Sequence, residues 1–153
     1  MTRVISVGKR VSGVTSLGGD VVFVVCENTH QVDVYDAANY AFRRRIMVPG
    51  FGSPLSLAAC PSNNCLYMLY ESALFGGSLH RVELTDGAVL EWCVARNPTG
   101  LSVNSKHNVL VTSRCERKLQ EFTTRGTLLR EVQLPSEIGH PWQAVQLPTG
   151  NFL

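Results

Sequence analysis

The stretch from Pro98 to Pro135, "PTGLSVNSKHNVLVTSRCERKLQEFTTRGTLLREVQLP", decides how this chain folds. Apolar and polar residues alternate in it with a period of two, and turn residues interrupt the alternation, which is typical of strands rather than helices. We read four strands there, with the polar loop "NSKHN" and the glycine turn "TRG" among the connections: "GLSVN", "NVLVTS", "KLQEFTT" and "TLLREVQL". The stretch therefore predicts one four-stranded antiparallel sheet.

The same pattern recurs along the chain. An aligned position is filled by Val14, Leu57, Leu101 and Ala144, which are separated by 43, 44 and 43 residues. A repeat of about 40–45 residues with four antiparallel strands is typical of a β-propeller blade. The repeat therefore predicts an all-β protein built from propeller blades.

Two further copies contain four strands each, and no segment shows a convincing helical period. The first copy reads "GVTSL", "VVFVVC", "QVDVYD" and "FRRRIMV", and the second reads "LSLAAC", "CLYMLY", "LHRVEL" and "AVLEWCV". We expect the arginines of "FRRRIMV" to face solvent on an outer strand. We also expect Gly87 and Gly126 to supply the positive φ of the turns between third and fourth strands.

These copies divide the chain into about three and a half blades of one partial propeller that spans residues 1–153. The expected segments are the last strand of a preceding blade at 3–7, blades at 12–53, 54–97 and 98–140, and a truncated blade at 141–153. Such an arrangement leaves two open sheet edges, which invite pairing with other strands. We expect a fragment of a longer protein, and a half-propeller that assembles with itself is the alternative.

The third copy resembles an NHL repeat, whose pattern of proline, glycine, apolar, basic and aromatic positions matches it at Pro98, Gly100, Leu101, Asn108, Val109, Val111, Lys118, Leu119, Phe122 and Gly126. The other copies match less well, since Ser56 replaces the glycine in the second and no proline precedes Gly13 in the first. The resemblance implies a six-bladed propeller in the complete protein. It also implies partner binding, and a relation to tripartite-motif ubiquitin ligases whose catalytic parts would lie upstream.

Composition indicates one globular unit without a strong charge. The chain has 153 residues, 44% of them hydrophobic and 17% charged, and its net charge of +2 does not by itself indicate nucleic acid. No apolar run approaches the roughly 20 residues of a membrane helix, and the N-terminus lacks the apolar core of a signal peptide. We therefore expect a cytoplasmic protein that does not insert into a membrane.

The five cysteines do not have the spacing of a zinc or redox motif. Cys60 and Cys65 flank the tight turn "PSNN", so a cross-strand disulfide is sterically feasible. A cytosolic setting favours buried free thiols instead. We expect no metal and no cofactor.

Function is expected on the propeller face where the loops between second and third strands meet the connections between blades. Those loops carry six cations, Lys9, Arg10, Arg96, Arg114, Arg117 and Lys118, against four carboxylates, Glu27, Glu71, Glu116 and Glu137. Phe75, His30 and His140 complete the expected partner-binding residues. We expect Trp142 and Phe51 to pack between blades rather than to touch a partner.

Three functions remain open from these residues. The first is a non-catalytic scaffold that binds a protein or peptide, because aromatic residues beside arginine are frequent contact residues. The second is binding of single-stranded RNA through Arg114, Arg117 and Lys118, although Glu116 interrupts that cluster. The third is a propeller enzyme of the lyase or lactonase type, which would need histidine or carboxylate ligands such as His30 and His140 to converge at one rim. We expect no catalytic residue in this chain.

Overall fold

A computed structural model describes residues 5–48, 54–72 and 76–153 of the chain. In these residues the chain forms twelve strands and one short 3-10 turn at Pro61–Asn63, and no α-helix. The strands make three four-stranded antiparallel sheets, each with its strands side by side in chain order. The all-β prediction and the four strands per repeat are confirmed.

We call the sheets blades 1, 2 and 3. Blade 1 contains β1 (Val11–Leu17), β2 (Val21–Cys26), β3 (Gln31–Asp36) and β4 (Phe42–Met47). Blade 2 contains β5 (Ser56–Cys60), β6 (Cys65–Ser72), β7 (Gly76–Glu83) and β8 (Val89–Val94). Blade 3 contains β9 (Pro98–Val103), β10 (Val109–Ser113), β11 (Lys118–Phe122) and β12 (Leu128–Gln133).

The blades pack face to face through the apolar residues of their middle strands. Phe23 and Val32 of blade 1 are buried against Leu66 and Met68 of blade 2 in one cluster. A second cluster joins the opposite face of blade 2 to blade 3 through Tyr67, Leu69 and Leu79 with Leu101, Val109 and Val111. Strand β5 contacts both β1 and β9, so these three first strands form the inner row of the arc.

The fourth strands form the outer row. The three arginines of β4 are exposed to solvent there, as the sequence predicts. The Arg43 guanidinium pairs with the Asp36 carboxylate, and Arg45 Nε lies 2.6 Å from Asp33 Oδ1. Arg44 donates a hydrogen bond to the Leu84 carbonyl of blade 2 at 3.3 Å. The arginine run is therefore occupied by contacts within blade 1 and to its neighbour.

The glycine turns are also confirmed. Gly87 and Gly126 adopt φ values of +76° and +87° at equivalent turns of blades 2 and 3. Only glycine adopts this left-handed region without strain. Gly126 also lies against the Trp92 ring, which the sequence pattern did not indicate.

Residues 141–153 form a short hairpin that covers the inner part of blade 3. Gln146 pairs with Phe152 in an isolated bridge, and Val145 and Leu153 exchange backbone hydrogen bonds of 3.0 and 2.9 Å. Ser102 Oγ donates to the Ala144 carbonyl at 2.6 Å, which attaches the hairpin to β9. Residues 141–153 are thus a hairpin attached to blade 3, and their assignment to a further, truncated blade stays a prediction.

The expected strand at 3–7 differs from what the structure describes. Ile5 to Val7 adopt no regular secondary structure, and residues 3 and 4 lie outside the described part of the chain. A strand requires a hydrogen-bonded neighbour, and none is described beside these residues. The arc therefore starts, within the described residues, at Val11.

Cys60 and Cys65 lie directly opposite each other on β5 and β6, and both are fully buried. Both are free thiols in the structure, as are the other three cysteines. The expectation of buried thiols holds, and the alternative of a disulfide between them is not realised in this structure.

Within the described residues, no helix has the length and apolar character needed to span a bilayer.

Candidate partner-binding surface

The loops expected on one face are indeed adjacent in blade 3. The backbone N–H of Arg114, which follows β10, donates to the carbonyl of Asn97 in the connection between blades, at 3.0 Å. Ser113 Oγ donates to the Arg96 carbonyl at 2.5 Å. The loop between second and third strands therefore lies beside the connection that precedes the blade, and the two together form what we call the loop face.

Blade 1 repeats this arrangement. The backbone N–H of Glu27 donates to the Arg10 carbonyl at 2.8 Å, and Arg10 Nε lies 3.5 Å from Glu27 Oε1. Both side chains are exposed enough for water to weaken their attraction. The pair therefore contributes little stability, but its backbone bond shows that the same two connections meet in both blades.

Three arginines, Arg96, Arg114 and Arg117, form the arginine patch of the loop face. Arg96 and Arg114 are exposed and Arg117 is half-buried. None of the three forms an ion pair with another residue that the structure describes. The guanidinium groups at this point of the surface are therefore available to an anionic partner.

Glu116 lies among these cations in sequence, and in the structure its carboxylate contacts the Arg96 backbone and the Lys118 side chain. Its Oε1 accepts a hydrogen bond from the backbone N–H of Arg96 at 3.1 Å, and its Oε2 lies 3.4 Å from Lys118 Nζ. The carboxylate is thus occupied by the neighbouring connection and by a lysine. Because its charge is already compensated, it opposes an incoming anion less than the sequence suggests.

Lys118 is held between two carboxylates, whereas the three arginines of the patch have no ion pair with a described residue. Its Nζ lies 2.8 Å from Glu131 Oε1 as well as near Glu116. The hydrogen bond to Glu131 raises the pKa of Lys118, and the hydrogen bond to Glu116 acts in the same direction. Lys118 therefore fixes the base of the loop, whereas the arginine patch faces outward.

Gln133 holds the same loop, and no sequence pattern indicated this role. Its Nε2 donates to the carbonyls of Glu116 and Arg117, each at 3.0 Å. The backbone N–H of Leu134 also donates to the Arg117 carbonyl, at 2.8 Å. Arg117 adopts φ of +50°, an unusual value for a side-chain-bearing residue that these bonds stabilise.

The remaining expected site residues are spread along the loop face. Lys9, His30 and His140 are exposed, and no described hydrogen bond or ion pair of their side chains links them to the arginine patch. Phe75 and Phe51 lie outside the described residues. The structure therefore brings together Arg96, Arg114, Arg117 and Lys118, and it does not bring the two histidines into a described common cluster.

Trp142 corrects one expectation. Its side chain does not pack between blades, because 67% of the residue remains exposed. Its carbonyl, not its indole, approaches Gly100 of β9, where a side chain would have no room. The Trp142 ring therefore remains on the surface just after the connection that follows blade 3, and the hairpin attaches to blade 3 through backbone contacts and through side chains such as Gln146 and Phe152.

A second polar cluster lies inside blade 3 and has a structural role. Glu121 is buried and accepts hydrogen bonds from Asn104 Nδ2 at 2.9 Å and Asn108 Nδ2 at 2.8 Å, while Arg130 Nε lies 2.5 Å from its Oε2. Burial alone would raise the pKa of Glu121, but the bonds from Asn108, Arg130 and Asn104 outweigh it and lower that pKa. A carboxylate this fully satisfied holds the blade together.

Metal ligands are not concentrated anywhere in the part of the chain that the structure describes. No group of three or more histidine, cysteine, aspartate or glutamate side chains there has a geometry that could hold an ion. His80, the buried histidine, instead lies 3.3 Å from Glu91 Oε1 and packs its ring 4.6 Å from that of Tyr70.

Solved structures of propeller proteins resemble this chain in fold. Hydrazine synthase of Kuenenia stuttgartiensis superposes with a TM-score of 0.76 at 18% identity, over 97% of this chain and 42% of that chain. A streptogramin B lyase gives 0.74 at 15% identity, over 93% of this chain and 46% of that chain. A catalytically inactive variant of virginiamycin B lyase from Staphylococcus aureus with quinupristin gives 0.70 at 14% identity, over 94% and 54%.

These similarities show the fold. The three sheets are β-propeller blades, and the chain spans about half the length of the solved chains that it matches. No family model matches the chain, and no curated protein matches it. At identities below 20% the fold carries no function with it, so function has to be argued from the loop face.

Proposed function

We propose that this chain is a binding module that captures an acidic segment of a protein partner on its loop face. The observation that carries the proposal is the contrast around Glu116. Its carboxylate compensates Lys118 and the Arg96 backbone, while the side chains of Arg96, Arg114 and Arg117 have no ion pair with described residues. Arginine recognises carboxylates through paired N–H donors, which makes such a patch suited to aspartate- and glutamate-rich peptides.

Rigidity of the loop supports this proposal. The loop that carries Arg114 and Arg117 is held by Gln133, by Ser113 and by the Leu134 backbone. A prearranged loop loses less conformational entropy when it binds than a free one. The patch therefore has both the charge and the order that a binding surface needs.

A fluorescence anisotropy titration with a labelled poly-glutamate peptide tests the proposal. The triple variant R96A/R114A/R117A should bind about tenfold more weakly, because three exposed ion pairs contribute about 0.5 kcal/mol each. Arg125→Ala is the matched control, since Arg125 is an exposed arginine in the turn at the opposite end of blade 3. Equal losses in both variants, or no loss in the triple variant, would reject the loop face as the binding surface.

Single-stranded RNA is the second candidate, and exposed Trp142 favours it. RNA modules combine cations that contact phosphates with aromatic rings that stack on bases. The same titration with labelled oligouridine decides between the two ligands. Oligouridine binding that falls with salt and is weakened by both R96A/R114A/R117A and Trp142→Ala would support RNA over the acidic peptide.

The family resemblance and the enzyme alternative stay proposals as well. We infer NHL-type repeats from the third copy, and a ubiquitin ligase relation rests on that inference alone. A lyase-type activity would need histidine or carboxylate side chains that converge at one rim, and His30 with His140 is the pair to test. Loss of a measured lyase activity in both His30→Ala and His140→Ala would replace the binding proposal with catalysis.

A further inference from the structure

A groove lies between the outer strands of blade 2 and the turn that joins β11 to β12 in blade 3. Its volume is about 510 Å³, within the range of cavities that hold small organic molecules. Residues of both blades line it, and we call it the interblade groove: Arg81, Glu83, Ala88, Val89, Leu90 and Arg125. The turn that carries Arg125 is at the opposite end of blade 3 from the loop face, so the groove is a separate surface.

Arg81 is the most deeply buried charged residue of the groove, with 16% of its side chain exposed against 31% for Glu83. Its Nη2 lies 2.7 Å from Glu83 Oε1, whereas its Nε is buried and has no hydrogen-bond partner among the described residues. A buried N–H group without an acceptor costs stability, unless water or a ligand supplies the acceptor. The guanidinium is therefore only partly satisfied by its own protein.

Two further donors without partners lie on the same face of blade 2. Tyr67 pairs with Arg81 in the sheet register, and the Tyr67 hydroxyl is buried without a hydrogen-bond partner in the described chain. Trp92 pairs with Leu79, two residues before Arg81, and its Nε1 is unpartnered in the same way. Burial raises the pKa of the Cys65 thiol, and contacts with Arg81 and Tyr67 oppose that rise, so Cys65 lies beside both. A thiol is a weak acceptor, so this side of the groove has more donors than acceptors.

The equivalent position of blade 3 shows what Arg81 lacks. Glu121 occupies the same place in the strand register of blade 3, and its outer-strand neighbour Arg130 compensates its charge. The corresponding outer-strand neighbour of Arg81 in blade 2 is Leu90. Blade 3 thus fills this row with an ion pair, whereas blade 2 leaves an arginine beside an exposed leucine and an open groove.

Arg125 brings a second positive charge from the other wall. It is exposed, and its side chain forms no ion pair with any residue in the described ranges. The turn itself is fixed against blade 2, since the adjacent Gly126 lies against the Trp92 ring. Because Glu83 is already paired with Arg81, the lining residues present an excess of positive charge.

The remaining wall of the groove is apolar. Ala88, Val89 and Leu90 form it, and 36% of Val89 and 42% of Leu90 are exposed. A ligand that covers such surface removes it from water, which favours a ligand with an apolar part. The groove therefore combines donors for an anion with a surface for a hydrocarbon body.

We propose that the interblade groove binds a small carboxylate that carries an apolar body. The carboxylate lies between Arg81 and Arg125, since arginine donates paired N–H groups to carboxylates. The body lies along Val89 and Leu90. Inorganic phosphate would satisfy the arginines but leave the apolar wall in water. A poly-glutamate chain has no apolar body either, so this ligand differs from the acidic segment proposed for the loop face.

Isothermal titration calorimetry of the full chain with octanoate tests the proposal. We expect saturable binding with a Kd below about 1 mM. Acetate has the same carboxylate without the body, and 1-octanol has a similar body without the charge, so each should bind at least about tenfold more weakly. Heat that does not saturate with octanoate, or equal binding of 1-octanol, would overturn the proposal and leave water as the partner of Arg81.

Leu90→Asp places a carboxylate beside Arg81 and should weaken octanoate binding at least about tenfold. Leu90 is exposed, so the variant should stay folded, and circular dichroism checks this. Met47→Asp is the matched control, because Met47 is an exposed apolar residue on the outer strand of blade 1, and this variant should bind octanoate as the wild type does. Undiminished binding by Leu90→Asp, or an equal loss in both variants, would contradict the groove as the site.

Two variants of the loop-face test separate this site from the arginine patch. Arg125→Ala should weaken octanoate binding about threefold, as expected for one exposed ion pair, without affecting the poly-glutamate peptide. R96A/R114A/R117A should bind octanoate as the wild type does. A loss of octanoate binding in the triple variant alone would move the ligand to the loop face and overturn the groove, whereas failure of the peptide titration would leave the groove untouched.

Discussion

Gly126 of blade 3 lies directly against the indole ring of Trp92 of blade 2. A Cβ placed on Gly126 would come within 2.7 Å of Trp92 Cδ2 and 2.9 Å of Cγ. The Trp92 ring also packs between Tyr67 and Phe122, with ring centroids 6.4 and 6.2 Å away. A turn glycine thus takes part in the packing of two blades as well as in the turn of one.

Gly126→Ala should therefore destabilise the protein more than Gly87→Ala. Both glycines have positive φ, which costs an alanine about 1 kcal/mol, but a Cβ on Gly87 would meet no atom within 4 Å. We expect the Gly126 variant to lose about 2 kcal/mol beyond that of Gly87. Urea unfolding of the two variants measures the difference, and equal losses would show that Trp92 moves aside without cost.

Gly100→Ala should loosen the attachment of the hairpin at residues 141–153 to β9 without changing any turn that needs a positive φ. A Cβ at this position would lie 2.6 Å from Gln143 Cα and also against the Trp142 carbonyl, and both are parts of the backbone. Gly13→Ala is the control, because the three atoms nearest to its Cβ would all belong to the Leu57 side chain, the closest at 3.1 Å, and not to the backbone. Hydrogen exchange should show faster exchange at Val145 and Leu153 in the Gly100 variant only. Unchanged protection there would contradict the packing of the hairpin on β9.

Glu121 should make the free energy of unfolding depend on pH in the acid range. Its pKa is lowered in the folded protein, so its contribution is present above the pKa of an unfolded glutamate and is lost as the pH falls through the folded-state pKa. Glu121→Gln should cost about 2 kcal/mol at neutral pH, because a hydrogen-bonded charge is replaced. The difference from the wild type should shrink below the ordinary glutamate pKa of 4.5. A pH-independent difference in urea midpoints would exclude this linkage.

Thiol labelling should divide the cysteines into two groups. Cys93 and Cys115 are exposed, whereas Cys26, Cys60 and Cys65 are buried. Burial also raises the pKa of the Cys65 thiol, which lowers its thiolate fraction. Two thiols should react rapidly with a disulfide reagent in the native protein and five after denaturation. Three or more rapid thiols would contradict the burial of Cys26, Cys60 or Cys65 in the packed blades.

The fold could be predicted well from sequence because each blade is a local unit. The strand read as "KLQEFTT" corresponds to β11 and "NVLVTS" to β10, each within two residues at either end. Period-two alternation and turn glycines report on neighbours in the chain, and those neighbours are also neighbours in the sheet. The 43-residue spacing then adds the stacking of one blade on the next.

The site could be predicted only in part, because its electrostatics depend on contacts between distant segments. The sequence places Glu116 among cations, but its bond to the Arg96 backbone joins residues 20 positions apart. Lys118 pairs with Glu131 of the next strand, and Gln133 holds the loop from the same strand. Which cations face outward is therefore set by packing, and linear charge patterns do not contain that information.

The measurement that tests the binding proposal most directly is an NMR titration of the labelled chain with the poly-glutamate peptide. We expect the largest amide shifts at residues 95–97 and 114–117, with little change in the turn at 124–126 on the opposite face. Shifts that concentrate on that opposite turn, or that are absent while the peptide is in excess, would contradict the arginine patch as the binding surface.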